Sequence, residues 1–321
     1  MSSDSSSMPR SNRILGYLCA LGAGATWGTT GPLSTGLYEL MPATSIGFWR
    51  VLIGTIALAV WGLAFRRDLF KADRTGWLVV GLGGGALVAL FEIAYQFAIA
   101  GVGVAGAAAL LYTAPVIVAV LARAILKEAL TPTRIVLAFT VMTGVALTVT
   151  GGSNAGAEAA RMGIAAGIAG GLLSALSYAL TSLMGRWAAP RYGVVKVLFL
   201  EAVGGVVLIW IALLVWGRPP APPPSGDAWR GLLGLAAGSV IAANLLFFAA
   251  MKRIEAAPAS VAATIEPVVG AILALLLFSQ RLTALGWLGL LMVVGGVATG
   301  YVLEGLKHQL NAQPEEPGRP I

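Results

Sequence analysis

Four ionisable residues fall inside long apolar stretches of this chain: Arg50, Glu92, Glu201 and Glu266. A charged side chain is costly to place in hydrocarbon, so each is expected to face a partner or a watered cavity and to mark a pathway. An Arg and a Glu at similar depth can pair and fix or gate two helices, and Arg50 with Glu92 is the pair of this kind. A carboxylate without a cation can carry a proton or anchor an ammonium group. Three carboxylates against one Arg leave negative charge uncompensated, which favours a proton or a cationic group as the species bound. Glu266 stands directly before Pro267, near the middle of its stretch, where the proline frees a carbonyl that can line a cavity beside the carboxylate. Arg50, Glu92, Glu201 and Glu266 are the candidates for coupling or gating.

Aromatic and small polar residues recur at helical spacing around these charges. Trp27, Thr30, Gly31 and Ser34 share one face early in the chain; Ser174, Ser177, Tyr178 and Thr181 share another. Trp27, Thr30, Glu92, Tyr95, Gln96, Tyr112, Tyr178, Asn244, Phe248 and Glu266 form the candidate substrate-binding set, suited to a small amphipathic molecule. For any single member the competing reading is helix packing, in which Ser and Thr bond across helices and rings fill gaps. Other chemistry finds no support. The one histidine, His308, lies near the C-terminus and the one cysteine, Cys19, lies in an apolar stretch, so no His- or Cys-ligated metal site, no disulfide framework and no cofactor is expected. Gly101, Gly103 and Gly106 spell GxGxxG, but no strand precedes them; they read as a joint between two apolar stretches. There is no P-loop and no GxSxG or HExxH motif, so neither an ATP motor nor an intramembrane enzyme is expected.

The elements that must position these residues are membrane helices. Hydrophobic residues make up 58 % of the chain and charged residues 11 %, the composition of a polytopic helical membrane protein. Ten apolar spans are expected, near 14–36, 43–65, 76–100, 104–126, 132–151, 162–188, 193–216, 229–252, 257–278 and 283–303. A Ser-rich tail, 1–11, and a polar tail, 306–321, flank them, and Pro219, Pro220, Pro222, Pro223 and Pro224 stiffen one joint. Trp216, Trp229 and Trp287 stand near span ends as interfacial anchors. The net charge of +7 sorts by side: 16 Lys and Arg fall in segments on the side of the N-terminus and four, Arg161, Arg218, Arg230 and Arg281, on the other. That bias puts both termini in the cytoplasm and attributes the basic character to topology and lipid headgroups, with no nucleic-acid partner.

The chain also repeats itself. Thr113–Thr131 and Ile265–Thr283 align at an offset of 152, with identities at Pro115/Pro267, Val116/Val268, Ala119/Ala271, Leu121/Leu273 and Thr131/Thr283. Each half, 12–152 and 153–305, holds five spans, and an odd number makes the second half enter from the opposite face. The fold class expected is therefore all-α, ten transmembrane helices in two inverted five-helix repeats. Inverted repeats are a transporter architecture, with a midplane site between the halves and alternating access. A passive channel is the competing class; rings of like charge, its mark, are missing. The offset also predicts that Arg50 corresponds to Glu201 and Glu92 to Asn244, giving a second, weaker Glu201/Asn244 pair.

Trp27 and Gly28, Arg50, the central Pro115 and Pro267, and the turns KEALT (Lys127–Thr131) and SQRLT (Ser279–Thr283) resemble the EamA-type drug/metabolite transporter family. The resemblance covers nearly the whole chain. It implies a ten-span exporter of amino acids, aromatic ones included, or of other small metabolites or drugs, in a bacterial inner membrane. One departure is that the acidic residue of these turns, Glu128, is replaced by Gln280 in the second half, so Glu128 reads as a structural cap. Substrate, transport direction, coupling ion and a monomeric or dimeric state are left open by the residues.

Overall fold

The computed structural model describes residues 10–30, 33, 37, 39–128, 131–150, 164–278 and 283–311. Gly31, Ser34 and Gln280, named above, lie outside the described residues. Every regular element among those described is helical. The first half holds α1 (Arg10–Gly28), α2 (Ala43–Phe65), a π-helical segment (Gly76–Gly84) leading into α3 (Gly85–Leu111), α4 (Ala114–Leu121) with a π-helical end (Ala122–Leu126), and α5 (Pro132–Thr150). The second half holds α6 (Ile164–Tyr192), α7 (Val194–Val215), α8 (Gly226–Leu235), a π-helical segment (Ala236–Ala242), α9 (Ala243–Met251), α10 (Ala256–Ala263), α11 (Glu266–Phe278) and α12 (Ala284–Asn311). Among the described residues, five stretches are long and apolar enough to cross a membrane, Ala43–Phe65, Gly76–Ala98, Ala165–Tyr192, Val194–Val215 and Gly226–Met251, with shorter apolar helices at Ala114–Leu126, Pro132–Leu147 and Ala284–Gly300.

Two span boundaries differ from expectation. No joint forms at Gly101–Gly106, because α3 runs through them to Leu111; glycine weakens a helix without ending it, and the Ala-rich run that follows carries it on. The chain instead breaks at Tyr112–Thr113, and again at the equivalent Thr264–Ile265 between α10 and α11. Each break precedes a proline, Pro115 or Pro267, which lacks the N–H that a continuing helix needs and fits the first turn of a new one. Helix also reaches into both expected tails, from Arg10 and to Asn311.

Neighbouring helices come in matched sets. α1 packs on α9 as α6 packs on α3; α1 meets α10 and α11 as α6 meets α4; α2 pairs with α7, α4 with α10, and α5 with α12. That is the pattern of two repeats about a pseudo-two-fold axis. The halves run in opposite directions: α1 starts, and α6 and α9 end, at one end of the molecule, where Gly16 packs on Arg253 and Ile254 and the Arg186 guanidinium donates to the Met251 carbonyl at 2.8 Å. The basic segments gather at that end. The Lys196 ammonium donates to the Lys71 carbonyl at 3.0 Å, Arg134 pairs with Glu255, and Arg66 pairs with Asp68 at 2.9 Å. At the opposite end the proline-rich joint is strapped to the start of α2, where the Ala221 carbonyl accepts from Trp49 Nε1 at 2.8 Å and its N–H donates to Ser45 Oγ at 3.0 Å.

Candidate functional site

Around the two helix breaks, α1 lies almost backbone to backbone on the junction of α10 and α11. A Cβ at Gly24 would stand 2.2 Å from the Ala263 carbonyl oxygen, and one at Gly28 would stand 2.6 Å from that of Glu266. Between these glycines α1 carries Trp27 over the breaks. Its ring meets Phe247 at 5.2 Å and Tyr178 edge-on at 6.1 Å, and Tyr178 meets Phe247 at 5.5 Å, a three-ring wall drawn from α1, α6 and α9. Such tilted and edge-to-face contacts suit the ring quadrupoles.

Against Tyr178 of this wall is a cavity of about 20 Å³, also lined by Tyr112, Ala114, Pro115, Ala263, Thr264 and Glu266. The Glu266 carboxylate, on the first residue of α11, shares this lining with Tyr112 and feels the charge of Arg50. The two breaks thus bring one carboxylate and one phenol to the same small space, each at the point where its span is interrupted.

Arg50 forms an ion pair with Glu92 in the half of the molecule away from the basic end, with both side chains largely buried. Gly47, one turn before Arg50, makes room for the carboxylate, since a Cβ there would lie 2.7 Å from Glu92 Oε2. Arg50 also reaches Ser239 Oγ at 3.4 Å. Ser239 lies in the π-helical segment of span eight, and its carbonyl accepts from Trp27 Nε1 at 3.1 Å and from Asn244 Nδ2 at 2.9 Å. A π turn shifts the hydrogen-bond ladder by a residue and so frees a carbonyl for such side chains. Ser239 therefore joins α1, α2 and α9, yet its residue type gives no hint of it.

The expected Glu201/Asn244 pair does not form. Asn244 spends its amide on the Ser239 and Val240 carbonyls, the latter also at 2.9 Å. Glu201 is buried on α7 beside Gly84 and Met184, its Oε2 without a hydrogen-bond partner among the described residues. It lies five residues from Lys196, about 8 Å along the helix from the basic end. Phe248, expected to face substrate, is fully buried against Gly185; Phe247 is the ring that reaches the wall. Ser177 donates to the Leu87 carbonyl at 2.6 Å and Ser174 to the Gly171 carbonyl at 2.7 Å, so both serve packing. Thr30, Tyr95 and Gln96 are half-buried, and Tyr95 stacks on Phe91 at 5.7 Å. Ser239 and Thr264 are the residues that the sequence reading did not single out. Trp229 stacks edge-on with Trp49 at 5.5 Å and Trp216 with Phe97 at 5.1 Å, each about half exposed near a helix end.

At the basic end the halves meet through Glu128. Lys127, the one non-glycine residue with positive φ among those described (58°), turns the chain out of the π-helical end of α4. Glu128 Oε1 then accepts from the Ala256 N–H at 3.1 Å, capping the start of α10, and lies 3.7 Å from Arg186 Nε. The cap expected for Glu128 is thus supplied to the other half of the molecule.

The EamA-like transporter family matches residues 14–150 and again residues 165–300. The chain belongs to that family. It carries two copies of the family's unit, matching the two sets of helix pairs, and it is a membrane transporter of small molecules by family. A chain of known structure, 18 % identical, shares the fold with a TM-score of 0.76 over 94 % of this chain and 99 % of that one. No curated protein matches the chain.

Proposed function

We propose that this family member is a ten-span secondary transporter, both termini cytoplasmic, that exports amino acids, aromatic ones among them, or similar small amphipathic metabolites from a bacterial cell by alternating access. The observation that carries this reading is the meeting of Glu266 and Tyr112 at the breaks of two equivalent spans, under the Trp27–Tyr178–Phe247 wall. Glu266 supplies an anchor for a substrate ammonium, Arg50 a positive field for its carboxylate, and the rings a surface for its side chain. A space of about 20 Å³ holds one water and no amino acid. Substrate therefore enters only when helices part, as exchange between two arrangements of inverted halves requires. Glu201 and Glu266, carboxylates within the spans, make a proton the candidate coupling ion.

The test is counterflow of labelled amino acids, phenylalanine and leucine included, in liposomes with and without a pH gradient. Exchange without net conductance is expected. Ohmic current faster than any conformational cycle would make the protein a channel, and failure to exchange any amino acid would move the substrate to another class. Glu266→Gln is expected to abolish or uncouple exchange while leaving expression intact; an unaltered pH dependence in that variant removes Glu266 from coupling.

A further inference from the structure

A second and larger cavity, about 300 Å³, lies on the other side of Pro115 from the Glu266 cavity. Pro115 lines both. Across from it, Ala262 faces the larger space and Ala263 the smaller, so one prolyl ring and two alanines on α4 and α10 divide them. The larger cavity is walled by apolar side chains of α4, α5, α10 and α12, among them Ala119, Ala138, Val261 and Val297. Its polar members are Thr131, Thr133 and Arg134 at the start of α5, at the basic end of the molecule, and Tyr17 of α1. Arg134 is paired there with Glu255, the residue before α10.

We propose that this cavity is an access vestibule that takes the transported amphipathic zwitterion at the basic end before it passes Pro115 to the Glu266 site; this rests on the transporter reading above. Three features select that occupant. The volume is that of a small-molecule pocket rather than a packing defect. The lining suits an apolar side chain, while Arg134 within it offers a cation to a carboxylate and its ion-pair partner Glu255, two residues before the lining Ala257, an anion to an ammonium. And the wall toward the central site is made of the two short helices that begin or end at the breaks, α4 at Ala114 and α10 at Ala263, so a hinge at either break opens it.

The chain has one cysteine, Cys19, so Cys19→Ser gives a thiol-free background. Val261→Cys on α10 and Ala138→Cys on α5 then place a thiol on opposite walls; if one of these variants fails to fold, the other decides. The probe is a bulky membrane-impermeant thiosulfonate applied from either face of oriented vesicles, with and without phenylalanine. Reaction from the face that holds the N-terminus, slowed by phenylalanine and followed by loss of phenylalanine counterflow, is the expected result. Reaction only with a lipid-soluble maleimide would show an acyl-chain pocket and overturn the proposal, as would counterflow that survives modification. Counterflow by the Cys19→Ser chain before labelling tests the transporter reading separately. Its absence would sink the amino-acid assignment, whereas its survival after labelling sinks only the vestibule.

Discussion

Gly24→Ala should damage transport by pushing α1 off the broken helix on which it rests. The added Cβ would stand 2.2 Å from the Ala263 carbonyl oxygen, 2.8 Å from Ile265 Cγ2 and 2.9 Å from the Ala263 carbonyl carbon. Two of the three are backbone atoms and cannot rotate away. A carbon and a carbonyl oxygen rest no closer than about 3.3 Å, so α1 must retreat by about 1 Å. Overpacking of this kind costs about 1–3 kcal/mol. The retreat also carries Trp27 with it, and its 3.1 Å bond to the Ser239 carbonyl then lengthens to about 4 Å, beyond hydrogen-bond range. Gly22→Ala is the matched control two residues away, where the new methyl meets only the tip of Leu246 at 3.3 Å. It should stay within about 0.5 kcal/mol of the native protein. Thermal unfolding in detergent and counterflow in liposomes, measured on both variants, check this. If Gly24→Ala were as stable and as active as Gly22→Ala, the close approach of α1 to the α10–α11 break would be wrong.

Glu92→Gln leaves the Arg50 charge without its ion-pair partner and should cost about 3 kcal/mol of unfolding free energy, whereas the double change Arg50→Met with Glu92→Met should be more stable than either single change. Trp27→Phe keeps the ring wall but removes the indole donor to Ser239, so ligand protection in a thermal-shift assay should weaken with little loss of fold stability. Burial first, and the neighbouring Glu255 further, raise the Glu128 carboxyl above its ordinary 4.5, against the Ala256 N–H and then Arg186 and Arg134, which pull it down. The folded state thus holds this proton more tightly than the unfolded chain, so its contribution is full below 4.5 and is lost as pH rises through the higher folded value. Glu128→Gln, an uncharged acceptor for the same N–H, should flatten that part of the stability profile; a profile unchanged from the native one would refute the assignment.

The repeat was legible because identical residues survive in the primary structure, and it reappears as matched helix pairs. The Arg50–Glu92 pair was legible from depth, since counting residues from the span ends places both at one level. The breaks were less so. Pro115 and Pro267 stood out as motif residues, but Gly101 and Gly103 look like a stronger joint, and a run of Ala carries helix through them. Glu201/Asn244 was misplaced for a different reason. The π-helical segment Ala236–Ala242 presents the carbonyls that the short Asn244 amide takes, and Glu201 is left packed against Gly84. π turns carry no residue signature, which is also why Ser239, acting mainly through its carbonyl, escaped notice.

Charge alone does not explain where the candidate site lies, since Glu201 is more buried than Glu92 and has no comparable constellation. What distinguishes the centre is the coincidence of a broken helix with a neighbour stripped to its backbone. At Thr264–Ile265 a break interrupts the ladder of span nine, and an interrupted ladder inside a membrane persists only against protein or a watered cavity. Gly24 and Gly28 let α1 supply the protein on one side, and that contact fixes Trp27 between them; the other side is left to the cavity of Tyr112 and Glu266. The glycines of spans three and seven make an approach just as close, with a Cβ at Gly204 meeting the Gly81 oxygen at 1.9 Å. Neither helix is broken there, and the contact closes into packing around Glu201. Close approach thus builds a site only where it meets a break, and in this chain the coincidence occurs where the prolines of the two repeats stand.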